Sequence, residues 1–232
     1  MIRSERLWAV IVALVSALLL AGCSEDSSPN APTGHSRRVV INDEFTASQL
    51  DATRFDTETT GLGTVSVAGG ILDIVSGYGG SGSALVRSRR AFTLADTLVI
   101  FEGRISTYCE GVYPGIYGDS QPRGLRVGND ANNAVEFISY DNSTVEARTV
   151  ASGVDTLTDY TLPGGAMVNT WVTYRIEATS DSARYFVDGV LVTTHKTHIP
   201  TGRLNLYVGT SYNGFGNVPV GADRLYLAYQ PR

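Results

Sequence analysis

Chemistry-bearing side chains are sparse in this sequence, and each grouping points to a different reaction. Gly79-Gly80-Ser81-Gly82-Ser83 comes within one residue of the Gly-x-Ser-x-Gly turn that exposes a nucleophilic serine. It ends in serine and does not lead into a helix, so it reads as a flexible loop, and a phosphate-cradling role falls by the same argument. His195 and His198 are three apart. On extended backbone that spacing puts them on opposite faces, so exposed polar residues are expected in place of a transition-metal pair. The two cysteines are Cys23 and Cys109. If Cys23 is modified, Cys109 has no intrachain partner and reads as a small half-buried hydrophobe.

The first segment decides where any site would operate. Arg3 and Arg6 precede an apolar run from Leu7 to Leu20, followed by the small residues Ala21 and Gly22. This is the layout of an export signal over residues 1–22. The run falls short of the about 20 residues of a comfortable membrane span, and no positive stop-transfer residues follow it. Leu20-Ala21-Gly22-Cys23 resembles the lipobox of bacterial lipoproteins. The resemblance implies cleavage before Cys23, acylation of its sulfur by palmitate-type chains and, with Ser24 in second position, the outer membrane. Acyl carbons contribute about 0.8 kcal/mol each when buried, so the membrane is a partner through the lipid on Cys23 only.

Residues 23–38 comprise the lipidated cysteine and a polar, Pro- and Ser-containing stretch that cannot bury enough surface to order itself, a flexible tether. Residues 39–232 suit one large all-β domain. Without the leader, 16 basic residues face 22 acidic ones, a net charge of −6, and Lys196 is the one lysine. An acidic chain with scattered arginines lacks the footprint for nucleic acid. The pairs Arg37-Arg38 and Arg89-Arg90 read as solvated linker and edge charges.

Short runs rich in Val, Ile, Thr, Tyr and Phe recur between Gly, Asn, Asp and Pro clusters, the pattern of an all-β chain. Clear cases lie at 63–67, 71–75, 83–87, 98–105, 134–140, 144–150, 171–178, 183–187, 190–194, 203–209 and 223–229. In Trp171 to Ala178, Val172, Tyr174, Ile176 and Ala178 share one face. Asp188-Gly189 is a two-residue hairpin signal, because a type I′ turn needs positive φ at both positions. Asp141-Asn142 and Asp181-Ser182 are weaker turn signals. Eleven or more strands joined in this way imply a two-sheet antiparallel jelly-roll sandwich.

The stretch WVTYRIEATSDSARYFVDGVLV resembles a segment shared across the concanavalin A-like lectin and glucanase superfamily. VINDEF, GGILDI, FEGRIS and ADRLYLAYQ look like further strands of glycoside hydrolase family sixteen and its relatives, in the family's order. The resemblance implies a concanavalin A-like β-sandwich over residues 39–232, in which Trp171 is a core residue. Enzymes of that family carry a Glu-x-Asp-x-x-Glu pattern on one strand. Here the corresponding stretch, GLRVGNDANNAVEFISY, offers Asp130 and Glu136 across an Asn-rich turn. Retaining hydrolysis needs two carboxyls about 5 to 5.5 Å apart, so this stretch leads to the expectation of a module that is not an enzyme.

A surface-anchored, non-catalytic carbohydrate-binding lipoprotein is therefore expected, its partner a polysaccharide or glycan. Sugars need an aromatic platform beside amides and carboxylates. The candidates are Tyr108, Tyr113 and Tyr117, with Asn129, Asp130 and Asn132 beside them, and Tyr212, Asn213 and Phe215. A structural or protein-binding surface lipoprotein is one alternative. The weaker one is a polysaccharide-degrading enzyme on the same fold, such as a lyase using Arg104, Arg126 and Tyr108. The resemblance also implies one structural calcium held by Glu44, Gly70 and Asp223, with Asp43 as a substitute for Glu44, a mixed oxygen set of the kind calcium takes.

Overall fold

The computed structural model describes residues 36–76, 82–107, 123–130, 132–139, 144–163, 171–212 and 219–232. Every element in them is a strand: β1 (Arg38–Asp43), β2 (Phe55–Thr60), β3 (Thr64–Ala68), β4 (Ile71–Val75), β5 (Gly82–Ser88), β6 (Thr97–Thr107), β7 (Arg123–Asp130), β8 (Asn133–Ser139), β9 (Thr144–Ala151), β10 (Val154–Thr161), β11 (Trp171–Ala178), β12 (Ala183–Val187), β13 (Val190–His195), β14 (Asn205–Tyr212) and β15 (Pro219–Pro231). They form two antiparallel sheets. One has the order β13-β12-β11-β6-β15-β4-β3, with β1 also paired to β15; the other has the order β10-β9-β8-β7-β14-β5-β2. The expected jelly-roll sandwich is the observed architecture.

Alternation explains why these segments are strands and which way they face. In β11 every second residue from Val172 is buried, and in β5 the same pattern runs from Gly82 to Ser88. The apolar sets of both sheets meet in one core, where Phe137 of β8 packs against Tyr174 and Tyr185 with ring centres 5.1 and 5.2 Å apart. Tyr185 is fully buried, and its hydroxyl donates to the Arg148 carbonyl at 2.6 Å, so one side chain joins the two sheets. A buried phenol needs such an acceptor. At the β12–β13 turn Asp188 and Gly189 have φ of 47° and 80°, the doubly positive turn that their sequence specifies.

Two expectations are corrected. Trp171 opens β11 on the face away from the core and is half-buried, with the Arg104 guanidinium 5.5 Å from its ring centre. His195 is buried, not exposed, because the chain bends after β13 and His198 adopts a φ of 53°, so the two histidines do not diverge as on extended backbone. His195 bonds the hydroxyls of Thr149 (Nδ1, 3.0 Å) and Thr158 (Nε2, 2.9 Å), while His198 Nδ1 bonds that of Thr156 at 2.8 Å. They clasp the edges of the two sheets together. Among the described residues no three His, Cys, Asp or Glu side chains gather to hold a metal.

Candidate active face

The seven-stranded sheet turns its Val135, Phe137, Val145, Ala147, Leu206 and Val208 side chains into the core. The intervening positions therefore lie on the opposite face. Register assembles them into rows that cross the sheet. Asp56, Arg87, Tyr207, Arg126, Glu136, Arg148 and Leu157 follow one another from β2 to β10. The next row runs Glu58, Leu85, Gly209, Gly124, Ile138, Glu146 and Asp159. Two glycines at the sheet centre leave that second row low between charged flanks. No side chain fits at Gly209, where a Cβ would come within 2.6 Å of the Leu85 Cβ.

At β8 this face is closed to solvent, with Ala134, Glu136 and Ile138 all buried. Glu136 is satisfied by Arg148, whose Nη1 donates to its Oε1 at 3.0 Å, and Arg148 Nε donates in turn to Asp155 Oδ2 at 2.9 Å. A glutamate side chain only 1% exposed needs such a partner. The face opens at β9 and β10, where Glu146 is half-buried and Asp155, Leu157 and Asp159 are exposed. Glu146 stands directly opposite Asp159 in the ladder. Burial, and after it the Asp159 carboxylate, push the Glu146 carboxyl above the ordinary glutamate value, although Arg148 opposes them. The face thus holds one glutamate that keeps its proton to higher pH than an ordinary glutamate, beside an exposed aspartate. That division of roles suits proton transfer to a leaving oxygen.

On the other flank, Arg87 Nη1 pairs with Glu58 at 3.0 Å and its Nη2 with Asp56 at 3.5 Å. A hydrogen bond to Tyr207 is the largest influence holding the Arg87 guanidinium in its charged form.

Most sugar-contact candidates from the sequence lie outside the described residues: Tyr108, Tyr113, Tyr117, Asn213 and Phe215, and with them Cys23, Cys109 and the Asp141-Asn142 turn. Asn129 and Asp130 close β7, and Tyr212 closes β14. Since β14 runs antiparallel to β7, these two groups stand at opposite ends of the sheet. The expected hairpin between Asp130 and Glu136 is present, with Asp130 paired to Asn133. The lyase grouping does not assemble, because Arg104 is on β6 of the eight-stranded sheet and Arg126 on β7 of the other. Sequence reading missed Glu146 and Asp159. Their strands were legible only in part, and nothing in spacing announces that residues 13 apart become cross-strand partners.

Of the positions named for calcium, Glu44 and Gly70 lie near each other through their backbones. β1 and β4 occupy the same edge of β15 in succession and meet where β15 bulges between Ala222 and Arg224. Gly70 has a φ of 81°, and a Cβ there would lie 3.9 Å from the Glu44 carbonyl oxygen. Asp223, the bulged residue, gives Oδ2 to Arg104 at 3.0 Å and leaves Oδ1 buried without a partner. Bulges re-aim side chains in this way.

No family profile matches the sequence, and no curated protein does. Solved structures match it by shape. The catalytic domain of an endo-1,3-beta-glucanase (laminarinase) from Thermotoga petrophila RKU-1 aligns over 84% of this chain and 98% of its own, at 14% identity and a TM-score of 0.61. An endo-beta-1,3-glucanase from Pyrococcus furiosus aligns over 86% and 96%, at 14% identity and a TM-score of 0.62. The kappa-carrageenase from Pseudoalteromonas carrageenovora, in complex with an oligotetrasaccharide of kappa-carrageenan, aligns over 89% and 100%, at 15% identity and a TM-score of 0.58. These neighbours are enzymes of polysaccharide breakdown, and they overturn the expectation of a non-catalytic sugar-binding module. What this chain shares with them is the two-sheet antiparallel jelly-roll fold.

Proposed function

We propose that the chain is a polysaccharide-degrading enzyme, a glycoside hydrolase acting on a β-linked glucan or galactan at the outward face of its seven-stranded sheet. The observation that carries this reading is the cross-strand pair Glu146 and Asp159, in which burial and then the aspartate raise the glutamate above its ordinary pKa. Side chains directly opposite in an antiparallel ladder have Cβ atoms about 4.5 to 5.5 Å apart, so the two carboxyls share one stretch of the face, as a pair of carboxyls acting together in retaining hydrolysis must. Glu146 gives its proton to the glycosidic oxygen as the bond to the anomeric carbon breaks, and the Asp159 carboxylate takes that carbon. Water, deprotonated by Glu146, then releases the sugar and restores both groups. The fold's named neighbours, glucanases and carrageenases, support the substrate class. The sequence candidates Tyr108, Tyr113, Tyr117, Asn129, Asp130, Tyr212, Asn213 and Phe215 supply platforms and polar contacts for the remaining sugar units.

The test is release of reducing ends from laminarin, lichenan and kappa-carrageenan by wild type, Glu146→Gln and Asp159→Asn. Cleavage of one substrate, lost at least about 100-fold in both variants, is expected; cleavage by the variants at the wild-type rate contradicts the assignment.

In the same reading, residues 1–22 are removed, Cys23 carries the lipid, residues 23–38 are the tether and the enzyme works at the outer membrane. Labelled palmitate should enter the wild-type chain and not Cys23→Ser. A structural calcium would be held by Asp223, Glu44 and Gly70, a reading supported by the unpartnered Asp223 Oδ1 and by the closeness of the Glu44 and Gly70 backbones. Its chemistry there is to tie the first and last strands together.

A further inference from the structure

One end of the sandwich gathers basic residues that are far apart in sequence. β1 starts there, β15 finishes there, β5 hands over to the segment containing Phe92, and β14 begins. Arg38 is the register partner of Tyr229. Arg90 Nη2 donates to the Tyr229 hydroxyl at 3.0 Å, with its guanidinium carbon 4.9 Å from the ring centre. Arg38 donates to the same oxygen, and the two donors hold the phenol below its ordinary pKa. Arg203 is brought to this end by Leu204, which exchanges two backbone hydrogen bonds of 2.7 Å with Phe92. Arg37, Arg38, Arg90 and Arg203 are all exposed.

Their neighbours are already matched. Arg54 pairs with Asp51, Arg89 with Asp56 and Arg232 with Asp181. Among the described residues no ion pair involves Arg37, Arg38, Arg90 or Arg203, while Asp96 and Asp130 are acids of the same end. Two guanidinium groups converging on one neutral oxygen repel each other, and an anion between them removes that repulsion. Beside Arg38, Val39 is 55% exposed, so charge and apolar surface are adjacent. This is also the end at which the chain arrives from Cys23. The intervening fifteen residues, 23–37, span at most about 50 Å.

We propose that this end docks on an anionic lipid surface, with Arg38, Arg90 and Tyr229 receiving a phosphate headgroup and Arg37 and Arg203 flanking it. The proposal rests on the lipid anchor at Cys23. An otherwise acidic domain then stands on the bilayer by its one basic end, and the sheet face with Glu146 lies along the side of the molecule, free to meet polymer. Near an anionic surface each arginine strengthens binding about five-fold, an effect that salt removes.

The full lipidated chain is reconstituted on vesicles of phosphatidylcholine alone or with about 30 mol% phosphatidylglycerol, and its release by trypsin, which cuts the tether after Arg37 or Arg38, is timed. Release is expected to be at least about five-fold slower on the anionic vesicles. The difference should vanish in high salt and in Arg38→Gln/Arg90→Gln/Arg203→Gln, whose melting temperature is checked against wild type. Equal release from both vesicles overturns docking, and protection that survives in the folded variant overturns its assignment to these arginines. A chain that does not float with neutral vesicles refutes the anchor. In that case flotation with anionic vesicles alone, lost in the variant, still upholds the surface, and flotation with neither overturns both.

Discussion

Glu136 and Glu146 lie on the same face of the same sheet, one strand apart, and their surroundings give them different work. Glu136 is sealed from solvent and paired to Arg148, whereas Glu146 is half-buried, and burial, with the Asp159 carboxylate after it, raises its pKa. Arg148→Ala leaves Glu136 without this partner and should destabilise the fold by about 3 kcal/mol in urea unfolding. Glu146→Gln should abolish cleavage yet leave the melting temperature at pH 7 unchanged or raised. A carboxyl whose folded pKa is raised contributes stability at low pH that is lost as pH rises through the folded value, and glutamine never pays that ionisation cost. For the same reason activity should fall on the alkaline side as Glu146 gives up its proton. Tyr113→Ala/Tyr117→Ala should raise KM with kcat retained if these residues only grip the polymer.

The strands differ in how plainly the sequence announces them. β4, β11 and β12 read with their observed limits because each alternates apolar and polar residues and ends at a turn signal. β2 and β10 escaped notice. They are the edges of the seven-stranded sheet, rich in threonine and acids, and most of their residues never meet the core. Glycines interrupt the pattern of β7. The edge matters all the same, since β10 carries Asp159 and is clasped through Thr158 to His195 at the end of β13 and through Thr156 to His198 just beyond it. Burial holds the His195 imidazole below its ordinary value of 6.5. The unfolded chain therefore takes up that proton first, so stability is complete above 6.5 and is lost as pH falls through 6.5 toward the folded value. Hydrogen exchange of β9 and β10 should accelerate over that window, and His195→Gln should flatten the dependence. Gly209→Ala, which forces a Cβ to 2.8 Å from the Ala84 carbonyl, should cost about 2 kcal/mol by urea unfolding.

At the scale of the whole molecule the sequence carried the fold further than the function. Turn chemistry, alternation and a run of family-like strands were enough to predict a two-sheet jelly roll, because those signals are local. The site is a product of register: Glu146 meets Asp159, and Arg38 meets Arg90 over Tyr229, only after distant strands have paired. A search for two carboxylates on one strand was bound to miss a pair divided between two. The same limit made four arginines look scattered. The β15 bulge joins both ends of the chain's fold, so calcium there should raise the melting temperature and a chelator should reverse it; an unchanged temperature removes the site.

Cleavage of polysaccharide at this sheet face is read most directly as reducing-end release from laminarin by the wild-type chain beside Glu146→Gln at matched folding. Oligosaccharides are expected from the wild type and at least about 100-fold less from the variant. Intact polymer after prolonged incubation with laminarin, lichenan and kappa-carrageenan alike, or equal cleavage by wild type and variant, would contradict it.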